Sequence, residues 1–597
     1  MERTEEAISV AADVYGGSFM IREAAWEDTA APEDFAEEQL KLARMVRNFR
    51  MEEVMPSYDR LDRPDYGLVL GLLRKMGDLG LLAAEVSEKD GGLGLGQTTG
   101  ALIAETLAPS ASFALSALAH TGIGMLPVAY FGTPAQKAAW LPELMAGRRA
   151  AAYCLTEPEA GSDALGVKTA AVRSADGAGY LLNGTKQYIS NAGFADLFVV
   201  YAKVDGLSFS AFVLDRDTPG FTVGTEERMM GLRGMSTCSL KLENAEVPSD
   251  RLLGPPGQGS RIAFGILNVG RFKLAAACVG MMKEATRLAA AHASARKQFG
   301  KPIASFPLIS AKLAEMNTLA YVAESMVYRT AGDLEGALER IGGDEGSSPA
   351  EALAEFAIEC SINKVFASEA LDVIVDHGVQ IHGGSGYAEG SPIERMYRDS
   401  RVNRIFEGTN EINRLRIPTM LLRRALKGEI PLLARAEEAQ EELLKPLPPN
   451  RTSSDPLARE AGIAAALKKV FLLAGGHALQ KYGLRLEREQ ELVAVLADLM
   501  IDAYALESAV LRSRKIRGRI GAAASSQAER MTALYAEDAL ERAGRRTRML
   551  LAAIDRGESL RMQLAILKRL LRFEPADSVG LRRSVAAAVV AAGGYAL

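Results

Sequence analysis

The stretch "RVNRIFEGTNEINR" (residues 401–414) sets one carboxylate, Glu407, after Ile405-Phe406 and before Gly408-Thr409. Two readings of that acid are open from the residues themselves. It can front a helix, with Thr409 or Asn410 as the cap and Glu411 in a first turn that the helix dipole makes hospitable to anions. It can also be a proton acceptor against an apolar wall formed by Ile405 and Phe406, because burial raises a carboxylate's pKa toward neutrality. A helix start is a rigid platform, so the readings are compatible, and local spacing does not choose between them.

Outward from this segment, the chain has 597 residues, long enough for three or four domains or layers. Hydrophobic residues make up 48% and charged residues 24%, the balance of a globular protein with a large core. The formal net charge of −5 provides no broad basic face, which argues against nucleic acid as a partner. Cys154, Cys238, Cys278 and Cys360 are far apart and the histidines are scattered, so the expectation is no metal site and a reducing compartment. The opening "MERTEEAISVAADVYGG" has no apolar run and no arginine-rich amphipathic pattern. With no window read as a membrane span, the expected location is bacterial-type cytoplasmic, possible membrane association aside.

Apolar residues at steps of three and four mark residues 20–150 as helical. Residues 151–255 change texture: "GYLLNGTKQYISNAG", "ADLFVVYAKV", "LSFSAFVLD" and "CSLKLENAEVP" are short β-branched and aromatic runs between Gly- and Asn-containing turns. That is a β domain, read as a barrel or sandwich. Long helical patterns return over 256–425, broken by a small linker at 342–352 and the glycine cluster "QIHGGSGY" (380–387). Residues 426–456 become charged and then proline-rich and read as a linker. Residues 457–597 are an appended helical domain. Within it Leu560, Leu564, Leu567 and Leu571 form one stripe, either a packing face or a peripheral membrane contact, and the apolar tail 584–597 reads as a buried helix end or docking tail. No G-x-G-x-x-G opens a helix, so a Rossmann site has no support.

Four segments, "YCLTEPEAGSDALGVKTAA" (153–171), "YISNAGFADLFVVYAKV" (188–204), "RKQFGKPIASFPLISAKLAEM" (296–316) and "QIHGGSGYAEGSPIERMYRDSRVNRIFEGTNEINR" (380–414), resemble the acyl-CoA dehydrogenases in content and order. The resemblance spans about residues 40–425, and the extra C-terminal region resembles the very-long-chain branch. It implies an α+β fold class: an N-terminal helical domain, a middle β domain, a C-terminal four-helix bundle and an additional helical domain. It further implies bound FAD, α,β-dehydrogenation of long fatty acyl-CoA to trans-2-enoyl-CoA in β-oxidation, electron transfer to an electron-transferring flavoprotein, and a homodimer.

Removing an α-proton and a β-hydride from a thioester calls for a base and for stabilisation of negative charge on the carbonyl oxygen. By resemblance Glu407 is the base, its own N–H helps polarise the thioester oxygen, and flavin N5 accepts the hydride. Gly408 lets the backbone approach substrate. Some branches carry the base on the preceding long helix; that position is Gly270 here, so no rival carboxylate exists. Asn268 and Arg271 match positions that contact the CoA chain. Main-chain atoms of Tyr153, Leu155 and Thr156 match the flavin loop, with Gly161 and Ser162 facing the pyrophosphate and, for Ser162, the CoA. Tyr188, Ile189 and Ser190 match the flavin-stacking segment, Tyr188 standing where tryptophan is usual and Ser190 where threonine is common. Arg296, Phe299, Gln380, Gly383 and Gly384 match contacts to FAD made across a subunit interface, and Thr409 and Asn410 are expected to touch FAD. Two alternatives remain beside this reading: an acyl-CoA oxidase using O2, and a respiratory-complex assembly factor derived from the family.

Overall fold

The computed structural model describes residues 14–110, 112–341, 349–444 and 454–597. The first helical layer includes Glu37–Phe49, Tyr66–Asp78 and Gly96–Leu107. Asp65 caps the second of these by accepting from the Leu68 N–H, which satisfies one of the orphan donors of the first turn.

The middle region is one eight-stranded sheet: β1 Ala151–Cys154, β2 Ala170–Arg173, β3 Gly179–Ser190, β4 Leu197–Val204, β5 Ser208–Asp215, β6 Phe221–Glu226, β7 Thr237–Pro248 and β8 Leu252–Leu253. Its order is β6-β7-β3-β2-β4-β5-β8, with β1 added in parallel on β4. The sheet curls on itself. Phe198 of β4 meets Phe221 of β6 at a ring separation of 4.8 Å although three strands lie between them. That closure buries an inner core of Leu182, Phe198, Val200, Phe212, Leu240 and Val247.

Four long helices form the next layer: Gly259–Ala295, Pro307–Ile341, Ala357–His382 and Asn410–Leu426. Alanine and glycine dominate the inward face of the first, so neighbours come close. A Cβ on Gly280 would lie 1.9 Å from the Glu105 carbonyl oxygen, so the Gly96–Leu107 helix rests directly on that spot. The helical pattern read through "RKQFG" stops earlier than the sequence suggests. Ala295 ends the helix, and Lys297–Gln298 pairs with Lys301–Pro302 in a hairpin. Its turn residues Phe299 (φ 52°) and Gly300 (φ 80°) are both left-handed, as a two-residue hairpin favours.

Two linker readings need correction. Pro349–Glu355 is a short helix that begins inside the stretch read as a small linker and runs past it, and Leu432–Leu444 is a helix inside residues 426–456. Charge at every third or fourth position, as in Arg435–Glu438, supports a solvated helix, and composition cannot tell this from a charged linker. Residues 342–348 of the first stretch and 445–453 of the second lie outside the described residues.

The appended part contains Ala458–Tyr482, Gln490–Arg519, Ala522–Ile554, Gly557–Leu570 and Ser578–Ala592. The leucine stripe faces inward: Leu567 is buried and Leu560, Leu564 and Leu571 pack against the main core. The C-terminal tail docks, with Val585 and Val589 buried and the Ala596 N–H donating to Asn317 Oδ1 at 2.9 Å. Three described segments are long and apolar enough to cross a membrane, contrary to the reading that none is: Ser112–Phe131, Gly259–Ala295 and Ala458–Arg488. The most apolar windows of the first two are 78% buried inside the protein and that of the third 56%.

Candidate active site

Glu407 stands in the turn between the Arg401–Arg404 helical turn and the Asn410–Leu426 helix. Its backbone is left-handed (φ 58°), as is that of Gly408 (φ 78°). For a glutamate that conformation costs free energy, and its retention marks a position held by its surroundings. Thr409 is the N-cap, accepting from the Ile412 N–H at 3.3 Å, so the helix-entrance reading holds as well.

Three side chains clamp the turn. Arg271 Nε donates to the Glu407 carbonyl at 2.9 Å. Lys364 Nζ donates to the Gly408 carbonyl at 2.8 Å and to Asn410 Oδ1 at 2.7 Å. Asn413 Nδ2 donates to the Gly408 carbonyl at 2.8 Å. The turn's carbonyls are therefore occupied, while the Glu407 N–H has no acceptor among the described residues. The Glu407 Oε2 is sealed from solvent and has no hydrogen-bond partner there either. Burial pushes this carboxyl up from 4.5 to about 7; Arg271 and then Lys364 pull the other way. The same burial brings Lys364 down to about 8. A Cβ built on Gly270 would lie 2.8 Å from Glu407 Oε2, so the absence of a side chain at 270 makes the room that this carboxyl uses.

The ring of Tyr153 on β1 lies 5.1 Å from that of Tyr201, tilted by 59°, and Tyr153 is within electrostatic reach of Glu407. Past β1, residues 155–169 form a loop held by one buried ion pair. Lys186 Nζ donates to Glu157 Oε1 at 2.7 Å and to the Leu155 carbonyl at 3.2 Å, and Glu157 also accepts from the Thr169 N–H. Gln187 N–H donates to the Thr156 carbonyl. Gly161 and Ser162 are exposed at the loop tip. On β3, the register with β7 shifts between Lys186 and Ile189, and within that bulge Tyr188 is left-handed (φ 57°) with 54% of its surface exposed. Bulges re-aim side chains: Tyr188 is turned outward, Ile189 goes inward and Ser190 is half-buried.

The remaining candidates are elsewhere on the surface. His292 and His382 stack at 4.3 Å, which brings the ends of their helices together. Arg296 and Phe299 follow one end, and Gln380, Gly383 and Gly384 form the other; all five are exposed. Phe299 is 93% exposed, and Cβ atoms on Gly383 and Gly384 would meet nothing within 4 Å. Within one chain this group is an open ledge.

Three of the candidates are engaged inside the protein. The Asn410 amide points inward, donating to Ser368 and Glu369 and accepting from Lys364, so its side chain holds the start of the helix that follows the base's turn. Arg271, 2% exposed, spends its guanidinium on Glu407 and Asn268, whose Oδ1 accepts at 2.8 Å; both residues shape the base's turn. Sequence reading missed Lys364, Glu157 and Lys186. Each carried a signal: Lys364 is a lone cation in the apolar run of "INKVFAS", and Lys186 falls on an inward register of β3.

Family models agree with this architecture. Models of the acyl-CoA dehydrogenase N-terminal, middle and C-terminal domains match residues 36–148, 152–245 and 257–422, and a further C-terminal domain model of the same family matches 466–569. A probable acyl-CoA dehydrogenase of Bacillus subtilis is 46% identical over 589 residues, 98% of this chain and 99% of the relative. The chain belongs to the acyl-CoA dehydrogenase family. The human mitochondrial very long-chain specific acyl-CoA dehydrogenase is 40% identical over 348 residues, 57% of this chain and 51% of that protein. A crystal structure of acyl-CoA dehydrogenase complexed with FAD from Bacillus anthracis superposes with a TM-score of 0.95 at 44% identity, covering 98% of this chain and 100% of that one. Butyryl-CoA dehydrogenase of Megasphaera elsdenii reaches 0.59 at 33% identity over 65% of this chain and 99% of its own. The family's shared body ends before the appended helices, which is why the two scores differ.

Proposed function

We propose that this acyl-CoA dehydrogenase desaturates long-chain fatty acyl-CoA between Cα and Cβ, using FAD, with Glu407 as the base. One observation carries the proposal: a sealed carboxyl oxygen with no internal partner, titrating near neutrality, on a strained turn that three side chains hold in place. A buried polar atom without a partner is costly, of order 1–3 kcal/mol, and a substrate C–H aimed at it gives that atom a purpose.

The residues fit FAD: an outward tyrosine on a bulge, an open glycine loop beside it, and an exposed Arg–Phe–Gly ledge of the kind that receives a pyrophosphate from a second subunit. When bound, FAD supplies a hydride acceptor. The chain's own residues do the rest. Glu407 takes the α-proton in its ionised form. Its idle N–H is placed to polarise the thioester oxygen. Arg271, Lys364 and Asn413 fix the turn, and the two cations keep enough of the carboxyl ionised at neutral pH. Long chains are proposed because the very-long-chain relatives also extend beyond the common body, and an electron-transferring flavoprotein is the proposed acceptor. A cytoplasmic site of action is part of the same reading, and the four buried free thiols accord with it.

The test is anaerobic mixing of the FAD-loaded protein with palmitoyl-CoA, followed by flavin absorbance. The wild type bleaches. Glu407→Gln retains FAD and bleaches more slowly by a factor of about 10²–10⁴, the usual worth of a positioned base. Bleaching of that variant at the wild-type rate overturns the assignment. Rapid re-oxidation in air with stoichiometric peroxide replaces the dehydrogenase reading with the oxidase one, and no bleaching of the wild type leaves the assembly-factor reading standing.

A further inference from the structure

Away from Glu407, a cavity of about 330 Å³ lies where the last helix of the shared family body meets the appended helices. Its walls include Leu422, Leu432, Phe471, Leu479, Leu486 and Leu496. Pro418 and Leu422 on the Asn410–Leu426 helix place it eight to twelve residues past that helix's start, about 12–18 Å along the axis. It is therefore separate from the base's pocket.

Three observations indicate that this space receives a ligand. First, Gly475 and Gly476 line it from the middle of the Ala458–Tyr482 helix. Packing does not demand them: a Cβ on Gly476 would meet nothing within 4 Å, and one on Gly475 only Leu496 Cδ2 at an ordinary 3.6 Å. Both are right-handed helical positions that alanine would stabilise. The pair weakens the helix and keeps the cavity open. Second, among the described residues the only charged groups lining it are Arg423 and Glu487, which pair with each other at 3.0 Å and are both exposed. The wall thus offers an entering group neither net charge nor an unsatisfied partner, so what enters must be hydrocarbon. Third, Leu426, Leu433 and Leu484 also line it and are 51%, 48% and 78% exposed. The volume is at the lower end of ligand pockets, a size for one narrow chain and not for a ring system with a polar edge.

We infer that this cavity binds one alkyl chain of a soluble single-chain lipid, such as a long-chain fatty acid, with the head group left in water beside Arg423 and Glu487. The site is additional to the one that holds substrate at Glu407. It lies against the far end of the helix that follows the base's turn.

The test is equilibrium dialysis of FAD-loaded, full-length protein with radiolabelled palmitate. Gly475→Leu and Gly476→Leu each put a side chain into the cavity. The wild type is expected to hold one equivalent of palmitate that both leucine variants lose, with affinity falling at least about tenfold because several buried methylenes are displaced. Flavin content and reduction by palmitoyl-CoA stay unchanged in the same samples, which separates this site from the catalytic one. Gly476→Ala guards against misfolding: it is expected to raise the thermal midpoint and still bind palmitate. The inference is overturned if wild type and leucine variants bind palmitate equally, if neither binds it, or if the protein floats with phosphatidylcholine vesicles while binding no dialysed palmitate, which would make the cavity a membrane contact.

Discussion

At the residue scale the site is governed by how a carboxylate is balanced between burial and cations. Glu407 loses hydration, which raises its pKa, while Arg271 and Lys364 lower it, and the result is about 7. The base works ionised, so flavin reduction should rise with pH and reach half its plateau near pH 7. Lys364→Met removes one of the two opposing cations. In that variant the midpoint of the pH–rate profile should move upward while FAD stays bound; an unmoved midpoint would show that Lys364 serves only the fold. The same shift has a stability consequence. The folded carboxyl holds its proton above 4.5, where the unfolded one releases it, so the folded state binds more protons and this group's stabilising contribution fades as pH rises from about 4.5 to about 7. Much of this was legible in "FEGTNE", because an acid between apolar residues and a helix cap is an unusual neighbourhood. The clamps were not, since Arg271 and Lys364 are 136 and 43 positions away in sequence and only the fold brings them together.

At the element scale the decisive contacts are helix to helix and strand to strand. The Gly259–Ala295 helix carries Gly270 and Arg271 toward the base and Gly280 toward the Gly96–Leu107 helix. Gly280→Ala places a methyl against the Glu105 carbonyl, where backbone cannot yield cheaply. Overpacking of this kind costs about 1–3 kcal/mol; a lowered urea midpoint should record it, and a midpoint equal to the wild type would mean that the two helices separate freely. The β3 bulge shows the limit of pattern reading. Alternation marks β3 as a strand, yet the register slip that turns Tyr188 outward depends on pairing with β7, more than forty residues later. Likewise the Leu432–Leu444 helix was hidden in a charged stretch because a solvated helix and a linker share composition.

At the scale of the whole molecule, buried charge joins the appended helices to the shared family body. Arg512, 3% exposed, bonds Glu33 of the N-terminal segment and Glu324 of the Pro307–Ile341 helix, and Tyr595 from the C-terminus also donates to Glu324. Nearby Glu507 accepts from Arg329 and Lys468. Arg512→Ala leaves the Glu33 carboxylate without its cation and Glu324 with only Lys283 and Tyr595, and should cost about 3–5 kcal/mol, seen as a large loss of unfolding free energy; a loss under about 1 kcal/mol, the scale of an exposed pair, would show that the network is solvated. On the opposite account, Phe299 stands almost wholly in solvent on a left-handed turn with Gln380, Gly383 and Gly384 exposed near it. If this ledge completes a second subunit's flavin site, Phe299→Asp should release FAD and shift the species seen by sedimentation velocity from dimer to monomer. A variant that stays dimeric and yellow would remove the ledge from the interface.

By itself the sequence determined the order of helical and β segments, the chemistry available at residue 407 and the absence of a competing acid at residue 270, because periodicity, residue type and motif order are local properties written along the chain. Only the tertiary structure decided that the Glu407 oxygen is sealed, that Arg271, Lys364 and Asn413 hold its turn, that the leucine stripe faces inward and that a cavity stays open beside Gly475 and Gly476. Burial and close approach are properties of what packs against a residue, and those partners lie tens to hundreds of positions away.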